Sequence, residues 1–188
     1  KNQIIRLPQE DMCQALGKPA ALKYKDEGGP GIINIMDILS GAYNAQQDRE
    51  KFMKAIFLFW ILGAMDGHAK NFSLFIKAGG TYQLTPFYDV LSYYPMAEDR
   101  QVEWKKLKMA MALKGKNKHY EWDKIQLRQW LATAKQCHFP EQFMQRIIDE
   151  VLEDLETVID KVSAKLPNPF PTRIADSIFK GMKKAKNK

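Results

Sequence analysis

The feature that most constrains the fold is an unbroken run of small and apolar residues from Ala55 to Met65. The run is shorter than the ~20 residues that a membrane-spanning helix needs. The residues before it, from Asn44 onward, are amphipathic at helical spacing, so the sequence predicts one helix over 44–64 whose second half is buried on every side. Such a helix lies at the centre of a domain. At 188 residues, the chain fits one compact domain or one lobe of a larger enzyme.

The hydrophobic period changes directly after this helix. Phe72, Leu74 and Ile76 alternate with other residues, Gly79 and Gly80 form a turn signal, and the segment 82–84 returns. This pattern predicts a β-hairpin. The fold class is therefore expected to be mainly α (α+β), with one small hairpin. Periodicity and capping residues also predict five other helices, which span residues 8–16, 32–39, 123–136, 140–165 and 173–184.

A net charge of +7 and an isoelectric point of about 9.3 favour acidic partners such as ATP, nucleic acid or an acidic protein surface, without choosing among them. Most of the excess lies in a stretch from Arg100 to Lys118 and in a basic tail over about 180–188. Charge runs of this kind are usually solvated faces, so the first stretch is interpreted as a surface and the tail as a frayed end.

Cys13 and Cys137 lie far apart and lack the spacing of a metal site, which favours reduced thiols in a cytoplasmic protein. No signal peptide opens the sequence, and no membrane span is expected. The chain begins at Lys1 rather than at methionine, which suggests that it is a fragment of a longer protein.

Three polar residues stand in an order that is typical of phosphoryl transfer. Asp66 and Asn71 follow the buried helix in a D-x-x-x-x-N pattern, and Asp89 comes after the hairpin. Phosphoryl transfer needs positioning and charge neutralisation, and Mg²⁺ prefers oxygen ligands. Asn71 and Asp89 could supply two such oxygens, Asp66 could take the proton of a substrate hydroxyl, and the hairpin would hold the loop and the metal ligand side by side.

Each of these residues also has a purely structural interpretation. Aspartate and asparagine often cap turns, His68 could be a hydrogen-bonded loop histidine, and Lys70 could be a surface charge. A lone D-x-x-x-x-N occurs by chance. The combination of a buried helix, the D-x-H-x-K-N motif, a hairpin and a Tyr-Asp pair is more specific, and it favours a kinase site.

The sequence resembles the HipA family of bacterial toxin kinases over nearly its whole length. The motifs that carry the resemblance are GAMDGHAKNFS (63–73), LTPFYDV (84–90), RLPQEDMCQ (6–14), GGPG (28–31) and LATAK (131–135). The resemblance implies the helical carboxy-terminal lobe of a protein-kinase-like fold, formed by residues 1–188.

The resemblance also implies the roles of the site residues. Asp66 would be the catalytic base, and Asn71 and Asp89 would bind Mg²⁺. The residues that would line the nucleotide side of the cleft are His68, Ala69, Lys70, Asn71, Tyr88 and Asp89. Classical protein kinases have lysine two residues after the base, whereas this chain has His68 there and places lysine at position 70.

Members of this family need an amino-terminal lobe with a phosphate-binding loop, a lysine for the nucleotide phosphates and a hinge for adenine. Nothing in the sequence resembles these parts, and the GGPG motif is interpreted as a plain turn. The chain alone is therefore expected to be inactive or nearly so.

The implied parent enzyme transfers the γ-phosphate of ATP to serine or threonine of a protein, with glutamyl-tRNA synthetase as the first candidate. A HipB-like, DNA-binding antitoxin would restrain it. The resemblance further suggests that Lys135, Gln136, Cys137 and His138 contact operator DNA, although the family pattern ends with arginine where this chain has the less charged His138. The alternative for this segment is a helix end with a solvated lysine.

Two other functions compete with this interpretation. Phosphoinositide kinases share the Asp-x-His-x-x-Asn pattern, but the segment 9–14 and the lack of a membrane-binding helix argue against them. A kinase-like module that only docks an antitoxin or DNA is the second. The joint presence of Asp66, Asn71 and Asp89 argues against lost chemistry, yet the missing lobe leaves this second function open for the chain by itself.

Overall fold

The structure, a computed structural model, describes residues 6–114 and 117–188. The strands in these ranges are β1 (Gln9–Asp11), β2 (Ser73–Ile76), β3 (Tyr82–Leu84), β4 (Lys108–Lys114) and β5 (Lys118–Glu121). The α-helices there are α1 (Met12–Ala15), α2 (Ile32–Leu39), α3 (Ala45–Leu62), α4 (Tyr94–Glu98), α5 (Leu127–Gln136), α6 (Glu141–Ser163) and α7 (Thr172–Lys186). The prediction of a mainly helical α+β fold is confirmed.

Helix α3 is the centre of the domain, as its apolar second half predicts. Its Phe57 and Trp60 side chains are fully buried, and they pack against Trp122 and Trp130. Helices α6 and α7 also pack on α3. Gly63 ends the helix in the left-handed conformation, with φ of 63°, which glycine adopts without steric cost. None of the helices in the two described ranges has the length and apolarity that a membrane crossing requires.

The predicted hairpin is present as β2 and β3, and a third strand extends it. β1 pairs antiparallel with β2, so the sheet order is β1-β2-β3. The predicted helix over 8–16 is therefore wrong in its first half. The side chain of Asp11 accepts the Gln14 N–H at 2.9 Å, and the Gln14 side chain accepts the Asp11 N–H at 2.9 Å. This reciprocal cap starts the helix at Met12 and leaves 9–11 extended.

A second, two-stranded sheet of β4 and β5 was not predicted. Met109, Met111 and Leu113 of β4 are buried, whereas Lys108 at its start is exposed. Part of the basic stretch that starts at Arg100 therefore lies on this two-stranded sheet. Lys108 and Lys114 stand at the two ends of β4, and the residues between them are buried. Lys116, which belongs to the same stretch, lies outside the described residues.

The last three helices follow the predicted pattern with shifted ends. The apolar stripe of α6 is buried at Ile147, Val151, Leu155 and Ile159. Helix α5 starts at 127 rather than 123, because the Gln129 side chain accepts the Gln126 N–H at 2.7 Å. The tail is not frayed: α7 continues to Lys186 because Met182 and Ala185 are buried, and Lys188 bonds the Asp123 carboxylate at 2.9 Å.

Asp48 joins α3 to the first sheet, and its replacement by alanine should destabilise the fold. The side chain is 3% exposed, and its Oδ2 accepts the Leu84 N–H at 2.9 Å. Asp48→Ala removes a charged acceptor and leaves a buried N–H unpaired, so we expect a loss of about 2 kcal/mol in the free energy of unfolding. Urea unfolding measures this loss. Asp37→Ala, at an exposed position of α2, is the control, and equal losses in both variants would contradict the prediction.

Candidate active site

The loop after α3 folds back on itself. The His68 N–H donates to the Asp66 carbonyl at 2.8 Å and lies 3.1 Å from Asn71 Oδ1, and residues 69–71 form one 3₁₀ turn that leads into β2. Gly67 lies so close to Phe59 that an added Cβ would come within 2.5 Å of its ring. The end of the buried helix and the start of the hairpin therefore hold Asp66 and Asn71 on one short, packed loop.

Asn71 and Asp89 meet at the edge of this loop. Asn71 is 3% exposed, and its Nδ2 donates to Asp89 Oδ2 at 2.6 Å. Asp89 is exposed, and its φ of 57° places it in the left-handed region, which aspartate tolerates better than most residues with a side chain. The two predicted metal ligands are thus brought into direct contact, across the hairpin that separates them in sequence.

The donor set at this point suits Mg²⁺, which binds through one or two carboxylates and completes its shell with phosphate oxygens and water. Asp89 would supply a carboxylate and Asn71 an amide oxygen. That oxygen now accepts the His68 N–H, so the amide nitrogen faces Asp89. Across residues 6–114 and 117–188, no three or more His, Cys, Asp or Glu side chains form a group that could hold a metal ion.

Asp66 lines a cavity of about 290 Å³. Other residues that line this cavity are Tyr24, Asp26, Glu27, Tyr93 and Lys108. The Asp66 side chain is 45% exposed. Its Oδ1 accepts a hydrogen bond from the Tyr24 hydroxyl at 2.9 Å, and its Oδ2 lies 4.0 Å from His68 Nε2. One carboxylate oxygen is therefore engaged by the protein, while the side chain remains accessible to a ligand in the cavity.

His68 is largely buried, and its Nε2 lies 4.0 Å from Asp66 Oδ2. Burial lowers the pKa of its imidazole and the charge of Lys23 adds to this, whereas Asp66 and Asp89 oppose the shift. Its Nδ1 has no hydrogen-bond partner among the described residues, and its ring packs edge-on against Tyr24 at 5.3 Å. The neutral imidazole is thus the form that this environment favours.

The lowered pKa of His68 predicts a pH dependence of stability. Its folded pKa lies below the ordinary value of 6.5, so the unfolded chain binds the proton more readily. Stability is therefore fully present above about pH 6.5 and is lost as the pH falls below it. The free energy of unfolding, measured with urea, should fall less between about pH 7.5 and about pH 5.5 in His68→Gln than in the unmodified chain. His138→Gln, at an exposed histidine, is the control; equal losses in all three would contradict the prediction.

Lys70 and Tyr88 make contacts within the protein. Lys70 Nζ bonds Asp11 Oδ2 at 2.6 Å, and this hydrogen bond raises the pKa of the lysine. The Tyr88 hydroxyl donates to the Lys70 carbonyl at 2.7 Å and lies 2.5 Å from Ser73 Oγ. Ala69 is fully buried, so its side chain offers no surface to a nucleotide. Nucleotide contacts by this loop and Tyr88 stay a prediction.

Sequence reasoning missed Tyr24 as a neighbour of the site, and it gave no firm role to Asp11, which belongs to the motif over residues 6–14. The Tyr24–Asp66 bond joins residues 42 positions apart, and Asp11 lies 59 positions from Lys70. A single sequence carries no signal for such pairs. The GGPG motif, interpreted above as a plain turn, closes the loop that carries Tyr24, since the Gly29 N–H donates to the Tyr24 carbonyl at 2.9 Å.

The segment predicted to contact DNA lies at the end of α5. Lys135, Gln136 and His138 are exposed, whereas Cys137 is 1% exposed and burial raises the pKa of its thiol to about 12. Arg49 donates to the backbone carbonyls of residues 137 and 138. The Cys137 side chain therefore cannot contact a macromolecule in this structure, and a DNA contact stays a prediction for the other three residues.

Comparison with known proteins agrees with a kinase-like fold. The chain superimposes in full, at a TM-score of 0.81 and 20% identity, on 44% of a chain in the structure of the Shewanella oneidensis MR-1 HipA–HipB toxin–antitoxin system with its operator DNA. It also matches the Helicobacter pylori proinflammatory kinase CtkA, with a TM-score of 0.53 and 12% identity over 96% of this chain and 68% of that one. At these identities the likeness defines the fold, a kinase-like α+β architecture.

Sequence comparison gives the family. The HipA-like C-terminal domain matches residues 1–159, and the chain belongs to this family. One relative, named Putative kinase Y4mE, from Sinorhizobium fredii (strain NBRC 101917 / NGR234), is 37% identical over 90 residues, which make up 47% of this chain and 21% of that protein. The chain thus spans less than half of the HipA-system chain, and the aligned part covers about a fifth of Y4mE.

Proposed function

We propose that the chain is the catalytic lobe of a serine/threonine-protein kinase that transfers the γ-phosphate of ATP to a protein hydroxyl in the cytoplasm. The observation that carries the proposal is the hydrogen bond from Asn71 Nδ2 to Asp89 Oδ2 at 2.6 Å, since Asn71 lies on the same short loop as Asp66. Membership of the HipA-like C-terminal domain family and the kinase-like fold support it.

In this mechanism Asp66 acts on the phosphate acceptor, which is the hydroxyl group of the protein substrate. It accepts a hydrogen bond from the serine or threonine hydroxyl and takes the proton of that hydroxyl. At the same time the hydroxyl oxygen bonds to the γ-phosphorus, and the bond between the γ-phosphorus and the bridging oxygen of the β-phosphate breaks, so that ADP leaves. Asn71 and Asp89 would hold Mg²⁺, which would neutralise charge on the phosphates. Tyr88, together with His68, Lys70 and Asn71 of the loop, lines the nucleotide side of the cleft.

The remaining parts of the ATP site come from outside this chain. Family relatives extend well beyond the matched region, and phosphate-binding and adenine-binding elements are expected there. The 188-residue chain alone is therefore proposed to be nearly inactive. Phosphorylation by the purified chain that depends on ATP and disappears in Asp66→Ala would contradict this.

We propose a protein substrate and two assembly partners on the basis of the family. Glutamyl-tRNA synthetase is the proposed substrate, a HipB-like antitoxin the proposed inhibitor, and operator DNA a proposed contact of Lys135, Gln136 and His138. The HipA structure was solved with HipB and operator DNA, which supports the last two.

Labelled phosphate transfer tests the substrate. The natural full-length chain that carries this domain is incubated with Mg²⁺-ATP and glutamyl-tRNA synthetase, in parallel with an unrelated aminoacyl-tRNA synthetase. Label is expected on glutamyl-tRNA synthetase and not on the unrelated synthetase. Equal labelling of both, or of neither, would reject this substrate.

A further inference from the structure

Tyr24 is bonded to the proposed base although it lies far from it in sequence. Its hydroxyl donates to Asp66 Oδ1 at 2.9 Å, and its ring contacts the His68 ring edge-on at a centroid distance of 5.3 Å. The tyrosine is half-buried, and burial together with Asp66 raises the pKa of its hydroxyl to about 12. The hydroxyl therefore keeps its proton near neutral pH and acts as the donor in this bond.

The loop that carries Tyr24 is fixed at several points. The Lys25 N–H donates to the Ala110 carbonyl at 3.3 Å, and the Ala110 N–H donates to the Met65 carbonyl at 2.9 Å, next to Asp66. Gly29 closes the loop so tightly that an added Cβ would lie 2.2 Å from the Leu22 carbonyl oxygen. The backbone thus links the tyrosine loop, through strand β4, to the residue before the proposed base.

We propose that Tyr24 is a positioning residue that holds the Asp66 carboxylate in its productive orientation for phosphoryl transfer. This inference rests on the proposed function. By binding Oδ1, Tyr24 limits rotation of the carboxylate and leaves Oδ2 for the acceptor hydroxyl. A base held in place reacts faster because the reacting atoms need no further reorganisation.

The opposite role, in which the Tyr24 hydroxyl blocks the acceptor position, fits the geometry less well. Asp66 Oδ2 has no hydrogen-bond partner among the described residues, since His68 Nε2 lies 4.0 Å away. The Asp66 side chain remains 45% exposed, and the adjoining cavity of about 290 Å³ is open beside Tyr24. An acceptor can therefore reach Oδ2 while Tyr24 stays in place.

Steady-state kinetics of Tyr24→Phe in the natural full-length chain test this role. The variant keeps the ring and removes only the hydroxyl. We expect kcat to fall about tenfold, the effect of one lost hydrogen bond, with KM for ATP within about twofold. In an Asp66→Asn background, Tyr24→Phe should cause no further loss, because there is no base left to position.

Tyr82→Phe is the matched control. Its hydroxyl donates to the Ile38 carbonyl at 2.8 Å in a half-buried setting, so this variant loses a similar bond away from Asp66 and should keep kcat. Thermal unfolding of each variant confirms that it is folded. A faster Tyr24→Phe enzyme would show that the hydroxyl blocks the site, and an unchanged kcat would remove any positioning role; either result overturns the inference. Full activity of Asp66→Asn would instead reject the proposed base itself.

Discussion

Asparagine in place of Asp66 is expected to lower the rate of phosphoryl transfer by about 100- to 10,000-fold, the usual contribution of a general base. The substitution preserves size and can still accept the hydrogen bond from Tyr24 at 2.9 Å, so the loop should keep its shape. What is lost is the ability to take the proton of the acceptor hydroxyl. Initial rates in the natural full-length chain measure the effect, and the affinity for Mg²⁺-ATP should stay within about twofold.

The control for this prediction is Asp37→Asn, which removes a carboxylate from the exposed surface of α2. It should transfer phosphate at the unmodified rate. A loss of only a few fold in Asp66→Asn, or a loss that is explained entirely by weaker nucleotide binding, would mean that Asp66 is not the base.

Asn in place of Asp89 is expected to abolish most of the Mg²⁺-dependent binding of ATP. It should also slow phosphoryl transfer by about 100-fold or more, because a bound metal contributes several kcal/mol to stabilising the charged transition state. Asp89 is the proposed carboxylate ligand, and Asn71 adjoins it at 2.6 Å. A neutral amide at position 89 cannot offset the charge of the ion. Calorimetric titration of the natural full-length chain with ATP, with and without Mg²⁺, measures the binding.

Asp154→Asn, at an exposed position of α6, removes the same charge far along the chain and is the control. It should bind Mg²⁺-ATP as the unmodified protein does. The role of Asp89 as a metal ligand would be contradicted if Asp89→Asn kept the same Mg²⁺-dependent affinity. Binding that weakens equally in both variants would point to a general loss of negative charge instead.

The sequence predicted the parts of the fold that have strong local signals. The apolar run from Ala55 predicted the central helix, because a helix without a polar face has no stable place except the core. Alternation from Phe72 to Leu84 predicted the hairpin, and its position between Asn71 and Asp89 predicted that these two side chains lie side by side. Local periodicity thus located both the centre of the fold and two residues of the candidate site.

The parts that were missed depend on contacts between distant segments. Residues 9–11 form a strand because they pair with β2, although Pro8 and two acidic residues are typical of a helix start. The buried run 109–113 consists of Met, Ala and Leu, which favour helices in isolation, and only its packing in the domain makes it a strand. The Tyr24–Asp66 bond is of the same kind, since nothing near either residue indicates the other.

Identifying the residue that receives phosphate tests the proposed kinase activity of Asp66, Asn71 and Asp89. The natural full-length chain is incubated with Mg²⁺-ATP and either a cell extract or phosphoinositide vesicles, and the products are analysed by mass spectrometry. Phosphoserine or phosphothreonine on protein is expected, and neither should form when Asp66 is replaced by asparagine. Phosphate on lipid alone, or protein phosphorylation that persists unchanged in the Asp66 variant, would contradict the proposed activity.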